Sequence, residues 1–140
     1  MREKVKSSGE VSLEFRYSFA LLGACSRGDL KLITSLMREQ NEMLRRYRQR
    51  CDFDGSDVKD CQGAGVFHYA SRGNQLNILR FFMCVTKNKV KPLSKILSTP
   101  AHDAAALGHL RVLKWILKNL KCEMGDVDKD GCNVLHLAAR

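Results

Sequence analysis

The 140-residue chain has the length of one domain, and its composition, 44% hydrophobic and 28% charged, is that of a folded globular protein. No apolar run approaches the roughly 18 residues that a membrane span needs, and the first ten residues lack the apolar stretch of a secretory signal. The formal net charge of +9 is most simply explained by a solvated basic surface, and a sharper interpretation is an acidic partner.

A degenerate helical pair is predicted over residues 12–50. Apolar residues recur at helical spacing on both sides of Gly28, and the small residues Ala24 and Cys25 would let two helices pack closely. We interpret this unit as an atypical first copy of the pattern that follows, as expected of a terminal cap. Residues 38–59 contain an insertion, part of which is predicted to lengthen the outer helix.

Three later stretches repeat one another at a fixed step of 34 residues, marked by His68, His102 and His136. The clearest copy begins Thr99-Pro-Ala-His-Asp-Ala-Ala-Ala-Leu-Gly-His, and the residues after it carry apolar side chains at helical spacing. Each copy therefore predicts a pair of helices. The predicted units are residues 60–92, 94–127 and an incomplete 128–140.

Short turns are predicted to lead into the repeats. Residues 60–63 and 128–131 match in position before their histidines and have the Asp and Gly content of tight turns. The equivalent residues 94–98 lack the glycine, so an irregular turn is expected there. Asn74 and Gly108 follow the first helix of their repeats, where both residue types accept a positive φ.

The step of 34 residues and the Thr-Pro-x-His-x-Ala pattern resemble the ankyrin repeat. This resemblance implies an all-α solenoid of stacked helix-turn-helix repeats with short finger turns, in which the last repeat is truncated. We expect the chain to be a fragment or a short form of a longer array.

No catalytic, cofactor-binding or metal-binding residues are predicted. The sequence has no phosphate-binding glycine loop, nucleophile elbow or His-Glu-x-x-His motif. Cys132 and His136 lie one helical turn apart without a second pair of ligands, and the in-register histidines are better explained by hydrogen bonds to turn backbone. The six cysteines are expected to be reduced thiols. We therefore predict a non-enzymatic protein-interaction module that needs no cofactor.

A stack of helix pairs presents a long concave face, on which we expect a protein partner to bind. An exposed tyrosine and exposed arginines are typical of binding hot spots. Asp103 is expected to point into the groove, and one carboxylate without a partner carboxylate does not make an acid–base site. The candidate groove residues are Arg27, Tyr69, Arg72, Asp103 and Leu107. The candidate finger residues are Gln62, Lys95, Lys129 and Asp130. A basic patch comprises Arg45, Arg46, Arg48 and Arg50.

A narrower resemblance is carried by residues 99–110, 113–117, 128–131 and 134–140. Ala101, where most ankyrin repeats have leucine, and the following Asp103 are its more diagnostic part. These residues resemble the first repeats of the espin and forked group of actin-bundling proteins. The resemblance implies a cytoplasmic, cytoskeleton-associated array that docks a partner such as an unconventional myosin tail, with bundling located outside the repeats.

Two alternatives stay open from the sequence. One is a generic ankyrin adaptor or signalling fragment without an actin role. The other, less favoured, is binding of nucleic acid or another polyanion through the basic clusters at residues 45–50 and 87–95, which steep salt dependence would reveal.

Overall fold

The computed structural model describes residues 8–46, 55, 58–86, 93–120 and 122–139, which form helices, turns and an isolated β-bridge between Lys59 and Gly65. The helices are α1 (Ser8–Arg27), α2 (Leu30–Arg46), α3 (Val66–Arg72), α4 (Leu76–Thr86), α5 (Pro100–Ala106), α6 (Leu110–Asn119) and α7 (Val134–Ala138).

The helices form two layers. The inner helices α1, α3, α5 and α7 pack side by side in chain order, and α2, α4 and α6 each pack on the inner helix that precedes them. This is the all-α solenoid of helix pairs that the sequence predicts. The helix α2 continues to Arg46 into the predicted insertion, and residues 47–54 lie outside the described residues.

Small side chains allow the inner helices to approach one another. Ala24, Ala70 and Ala104 occupy equivalent places and are fully buried. Cys25 is also fully buried beside Ala24, as its alanine-like position predicts, and burial raises the pKa of its thiol to about 12. Apolar residues of the outer helices complete the core, the largest of them Ile33, Ile78, Leu79, Phe82, Val112 and Ile116.

Two of the three repeat histidines, His68 and His102, join the start of their own helix to the next turn of the chain. The third, His136, accepts the Asn133 N–H at 3.0 Å at the start of α7. The backbone N–H of Gly65 donates to His68 Nδ1 at 3.4 Å, and that of Thr99 donates to His102 Nδ1 at 3.1 Å. Because Nδ1 accepts a hydrogen bond, the proton resides on Nε2. His68 Nε2 then donates to the Ser98 carbonyl at 2.8 Å, and His102 Nε2 to the Cys132 carbonyl at 3.1 Å. The predicted hydrogen bond to turn backbone is confirmed for His68 and His102.

The turns that precede α3, α5 and α7 share one backbone conformation, and we call them fingers 1 (residues 60–64), 2 (residues 94–98) and 3 (residues 128–132). In each, the first N–H donates to the carbonyl of the fifth residue, at 2.9 to 3.0 Å. Successive fingers are joined by backbone hydrogen bonds, from Lys95 N–H to the Gln62 carbonyl at 2.9 Å and from Lys129 N–H to the Ile96 carbonyl at 2.7 Å.

The prediction of an irregular turn in finger 2 was wrong. Leu97 takes a φ of 62°, the left-handed conformation that Gly63 and Gly131 take at 80° and 79°. The hydroxyl of Ser94 accepts the Ser98 N–H at 3.2 Å, which replaces the carboxylate contacts of fingers 1 and 3. The finger backbone therefore persists without its glycine, at the cost of strain at one leucine.

The inner helices end as the sequence predicts. Asn74 and Gly108 both take positive φ, 59° and 73°, two residues past the ends of α3 and α5. The neighbouring Gly73 has a different constraint, because a Cβ added there would overlap the Ser26 carbonyl at the end of α1. Close backbone contact between the first two repeats therefore requires a glycine at position 73.

We expect Leu97→Gly to be more stable than Leu97→Ala by about 1 kcal/mol, because both variants lose the side chain beyond Cβ and only glycine relieves the positive φ. At Lys114, an exposed position within α6, the alanine variant should instead be more stable than the glycine variant by about 1 kcal/mol, since glycine is the poorer helix former. Urea unfolding of the four variants measures both differences. The same order at both positions would contradict the conformation assigned to Leu97.

Gly73→Ala should lower the free energy of unfolding by about 1–3 kcal/mol through overlap with the Ser26 backbone. Gly108→Ala is the matched control, since a Cβ there meets no atom within 4 Å and only the positive φ opposes it, at about 1 kcal/mol. Thermal unfolding followed by circular dichroism compares them. A harmless Gly73→Ala would exclude the close contact of the two repeats.

Stability should fall as the pH drops below 6.5, because burial lowers the pKa of His68 in the folded chain. The Ser98 carbonyl and the Asp103 and Asp60 carboxylates raise the pKa of His68, but less than burial lowers it. The positive charge of Arg72 lowers this pKa further. Between the lowered pKa and 6.5 the unfolded chain binds more protons than the folded one, so the stability present above pH 6.5 is lost on acidification.

Urea unfolding at pH values on both sides of 6.5 measures this loss. In His68→Gln the side-chain amide can still donate to the Ser98 carbonyl but does not titrate. The variant should therefore lose less stability than the native chain over the same interval. Equal losses would assign the pH dependence to other groups.

Candidate protein-interaction surface

A cleft of about 840 Å³ opens on the inner side of the first repeat, between α1, finger 1 and α3. Residues of α1 at helical spacing line one wall, because positions three and four apart share a helix face. The chain immediately before and within finger 1 lines the other. We call this space the α1 cleft, and its lining residues are Ser18, Phe19, Leu22, Gly23, Ser26, Arg27, Lys59, Asp60, Cys61 and Tyr69.

A chain of polar contacts runs from the α1 cleft toward the third repeat. The Tyr69 hydroxyl donates to Asp60 Oδ2 at 2.7 Å. The Arg72 guanidinium lies over the Tyr69 ring, 5.1 Å from its centroid, and its Nε donates to Asp103 Oδ2 at 3.1 Å. These contacts tie finger 1, α3 and α5 together along the concave face.

The environment shifts the pKa values of the two carboxyl groups in opposite directions. Burial raises the pKa of Asp103 more than the Arg72 charge lowers it. Burial alone would also raise the pKa of Asp60. Hydrogen bonds from the Tyr69 hydroxyl and the Ala64 and Gln62 amides outweigh burial, and the pKa of Asp60 is lowered. The Asp60 carboxylate is therefore held ionised by the bonds that shape finger 1.

Three of the five predicted groove residues, Tyr69, Arg72 and Asp103, are already bonded within the chain. Arg72 is half-buried rather than exposed, since its side chain is 38% exposed and bonded to Asp103. Tyr69 is half-buried rather than exposed, since its ring packs against the core and its hydroxyl is bonded to Asp60. Asp103 has a partner in Arg72, and its side chain is only 16% exposed. Arg27 and Leu107 are exposed as expected, Leu107 to 55%, at the ends of α1 and α5.

The finger residues and part of the basic patch lie on the surface. The side chains of Gln62, Lys95, Lys129 and Asp130 are exposed, while their backbones take part in the finger hydrogen bonds. Arg45 and Arg46 are exposed at the end of the outer helix α2. Arg48 and Arg50 lie outside the described residues.

Sequence reasoning missed most of the wall of the α1 cleft. Asp60 was assigned only to its turn, and Phe19 and Gly23 only to a helix. A glycine in the interior of a helix, flanked by apolar residues, is the one sequence signal that could have drawn attention to Gly23. The missed lining residues are Ser18, Phe19, Leu22, Gly23, Lys59, Asp60 and Cys61.

Among the described residues, no group of three or more His, Cys, Asp or Glu side chains is placed to hold a metal ion. No helix in the described part of the chain is long and apolar enough to cross a membrane. Cys25, Cys61 and Cys84 are free thiols, of which Cys61 and Cys84 are exposed.

Comparison with known families gives the same assignment as the architecture. A family model described as ankyrin repeats, in three copies, matches residues 67–140, more than half of the chain. Ankyrin repeats are protein–protein interaction modules and generally lack catalytic activity. With its stacked helix pairs, its repeat histidines and its fingers, the chain belongs to the ankyrin-repeat family.

Proposed function

We propose that this chain is the partner-docking array of an espin-like protein of the actin cytoskeleton, located in the cytoplasm. The concave face binds the partner, which is the tail of an unconventional myosin or a similar peptide. The observation that carries the docking role is the α1 cleft on the inner side of the solenoid. The espin-like assignment is supported by Ala101, Asp103 and the residues around them.

The concave face is suited to binding because it is already held in shape. Backbone hydrogen bonds join the three fingers, and the contacts of Tyr69, Arg72 and Asp103 join the inner helices. Binding of a partner therefore costs little conformational entropy on this surface, so that more of the contact energy appears as affinity. Leu107 at the end of α5 and Arg27 at the end of α1 are exposed side chains on the same face.

Among the five predicted groove residues, Leu107 and Arg27 should contribute most to binding. Tyr69 and Arg72 are committed to internal contacts, so their truncation would perturb the fold as well as the partner. Leu107 and Arg27 can contact a partner without giving up a hydrogen bond or ion pair to the described residues. Arg45 and Arg46 on the outer layer would act at a distance, on the association rate.

Binding of recombinant unconventional myosin tails, measured by isothermal titration calorimetry, tests the proposal. Leu107→Ala and Arg27→Ala should each weaken binding by about 1–3 kcal/mol, because truncation removes exposed contact area from the groove. Met43→Ala and Arg80→Ala are the controls, since both residues are exposed on outer helices and Met43, at 53%, matches Leu107 in exposure. The controls should bind like the native chain.

Three outcomes contradict parts of the proposal. Binding that is lost equally in the outer-helix controls would exclude the concave face. Tight binding of other proteins at the groove but of no myosin tail would favour a generic adaptor. Strong bundling of actin filaments by this chain in low-speed co-sedimentation would show that bundling is not confined to segments outside the repeats.

A further inference from the structure

We infer that the α1 cleft binds a peptide segment in which an apolar side chain is flanked by Asp or Glu residues. The inference rests on the proposed docking function and names the chemistry that one part of the groove recognises. It follows from the lining of the cleft, from the charges at its edges and from the internal bonds that occupy its single carboxylate.

The interior of the cleft is apolar. The Phe19 side chain is 73% exposed on α1, and Leu22 and the Tyr69 ring contribute further apolar surface. Gly23 contributes no side chain to the α1 wall, and Arg27 Nη1 lies 3.1 Å from the place that a Cβ would take there. Apolar surface of this kind, in a cleft of about 840 Å³, is suited to an aliphatic or aromatic side chain of a partner.

The charges of the cleft are unbalanced toward positive. Arg27 and Lys59 are exposed, and neither forms an ion pair with any residue that the structure describes. The lining carboxylate, Asp60, is occupied, because its Oδ1 accepts the Gln62 and Ala64 N–H groups and its Oδ2 accepts the Tyr69 hydroxyl. Among the described lining residues, an incoming carboxylate therefore meets a net positive charge, two cations against one carboxylate whose oxygens already accept hydrogen bonds.

Unlike Arg27 and Lys59, Arg72 already has partners within the described part of the chain. It lies on the same face, but Asp103 and the Tyr69 ring already hold its guanidinium. The positive charge available to a partner is consequently concentrated at Arg27 and Lys59. A second copy of this chain is a poor occupant, since its net charge of +9 would oppose approach to a basic cleft.

Two groups of variants test the inference, one that fills the cleft and one that reverses the charge at its edges. Gly23→Leu fills the cleft, and it should fold, because leucine is a better helix former than glycine and a Cβ at position 23 meets only the flexible end of Arg27. Arg27→Glu with Lys59→Glu reverses the charge at the edges. The matched control, Arg80→Glu with Arg111→Glu, makes the same change of charge at exposed sites on outer helices.

A phage-displayed library of random peptides, panned on the full chain with the Gly23→Leu variant as counter-selection, supplies the probe. We expect the enriched peptides to carry apolar residues next to Asp or Glu. Synthesised as fluorescent peptides, they should bind at least about tenfold more weakly to Gly23→Leu and to the Arg27/Lys59 reversal, and normally to the Arg80/Arg111 control. Circular dichroism and the melting temperature verify that each variant is folded.

The remaining outcomes overturn the inference. Enrichment of neutral or basic peptides, equal weakening by both charge reversals, or no peptide that distinguishes the native chain from Gly23→Leu would each exclude it. Peptides or myosin tails that bind the native chain and Gly23→Leu equally, but lose affinity in Leu107→Ala, would leave the proposed groove function intact. If neither Gly23→Leu nor Leu107→Ala weakened binding, both this inference and the proposed groove function would be excluded.

Discussion

The hydrogen bond from a repeat histidine to the next finger is the interaction on which this solenoid depends. His68 and His102 each accept an N–H at the start of their own helix and donate to a carbonyl one repeat further on. Both imidazoles are almost completely buried, so each bond satisfies polar groups that water cannot reach. The inner helices and the fingers thus receive their spacing from the same side chain.

The polar contacts of the concave face divide its residues into two groups. Tyr69, Arg72 and Asp103 hold neighbouring elements together, and each already has a polar partner within the chain. Arg27 and Leu107 contribute less to the fold and keep their exposed surface for a partner. Stability and recognition therefore lie side by side on one face, but in different side chains.

The sequence predicted the features that depend on local chemistry. Asn74 and Gly108 accept a positive φ, and Thr99 with Pro100 begins a helix, because of properties of those residues alone. The conformation of Leu97 could not be predicted in this way, since neighbouring repeats impose it on an unsuitable residue. The α1 cleft was missed because its two walls are distant in sequence, with residues 18–27 on one side and residues 59–69 on the other.

The bonds that join successive fingers involve backbone atoms only. The N–H of Lys95 or Lys129 would be supplied equally by any residue except proline, and the side chains at Gln62, Lys95, Lys129 and Asp130 extend outward from a ladder that does not use them. Substitution at these four positions can therefore alter which molecules the array accepts while the scaffold stays the same. The fingers resemble the hypervariable loops of an antibody, in which a constant frame carries interchangeable contact residues.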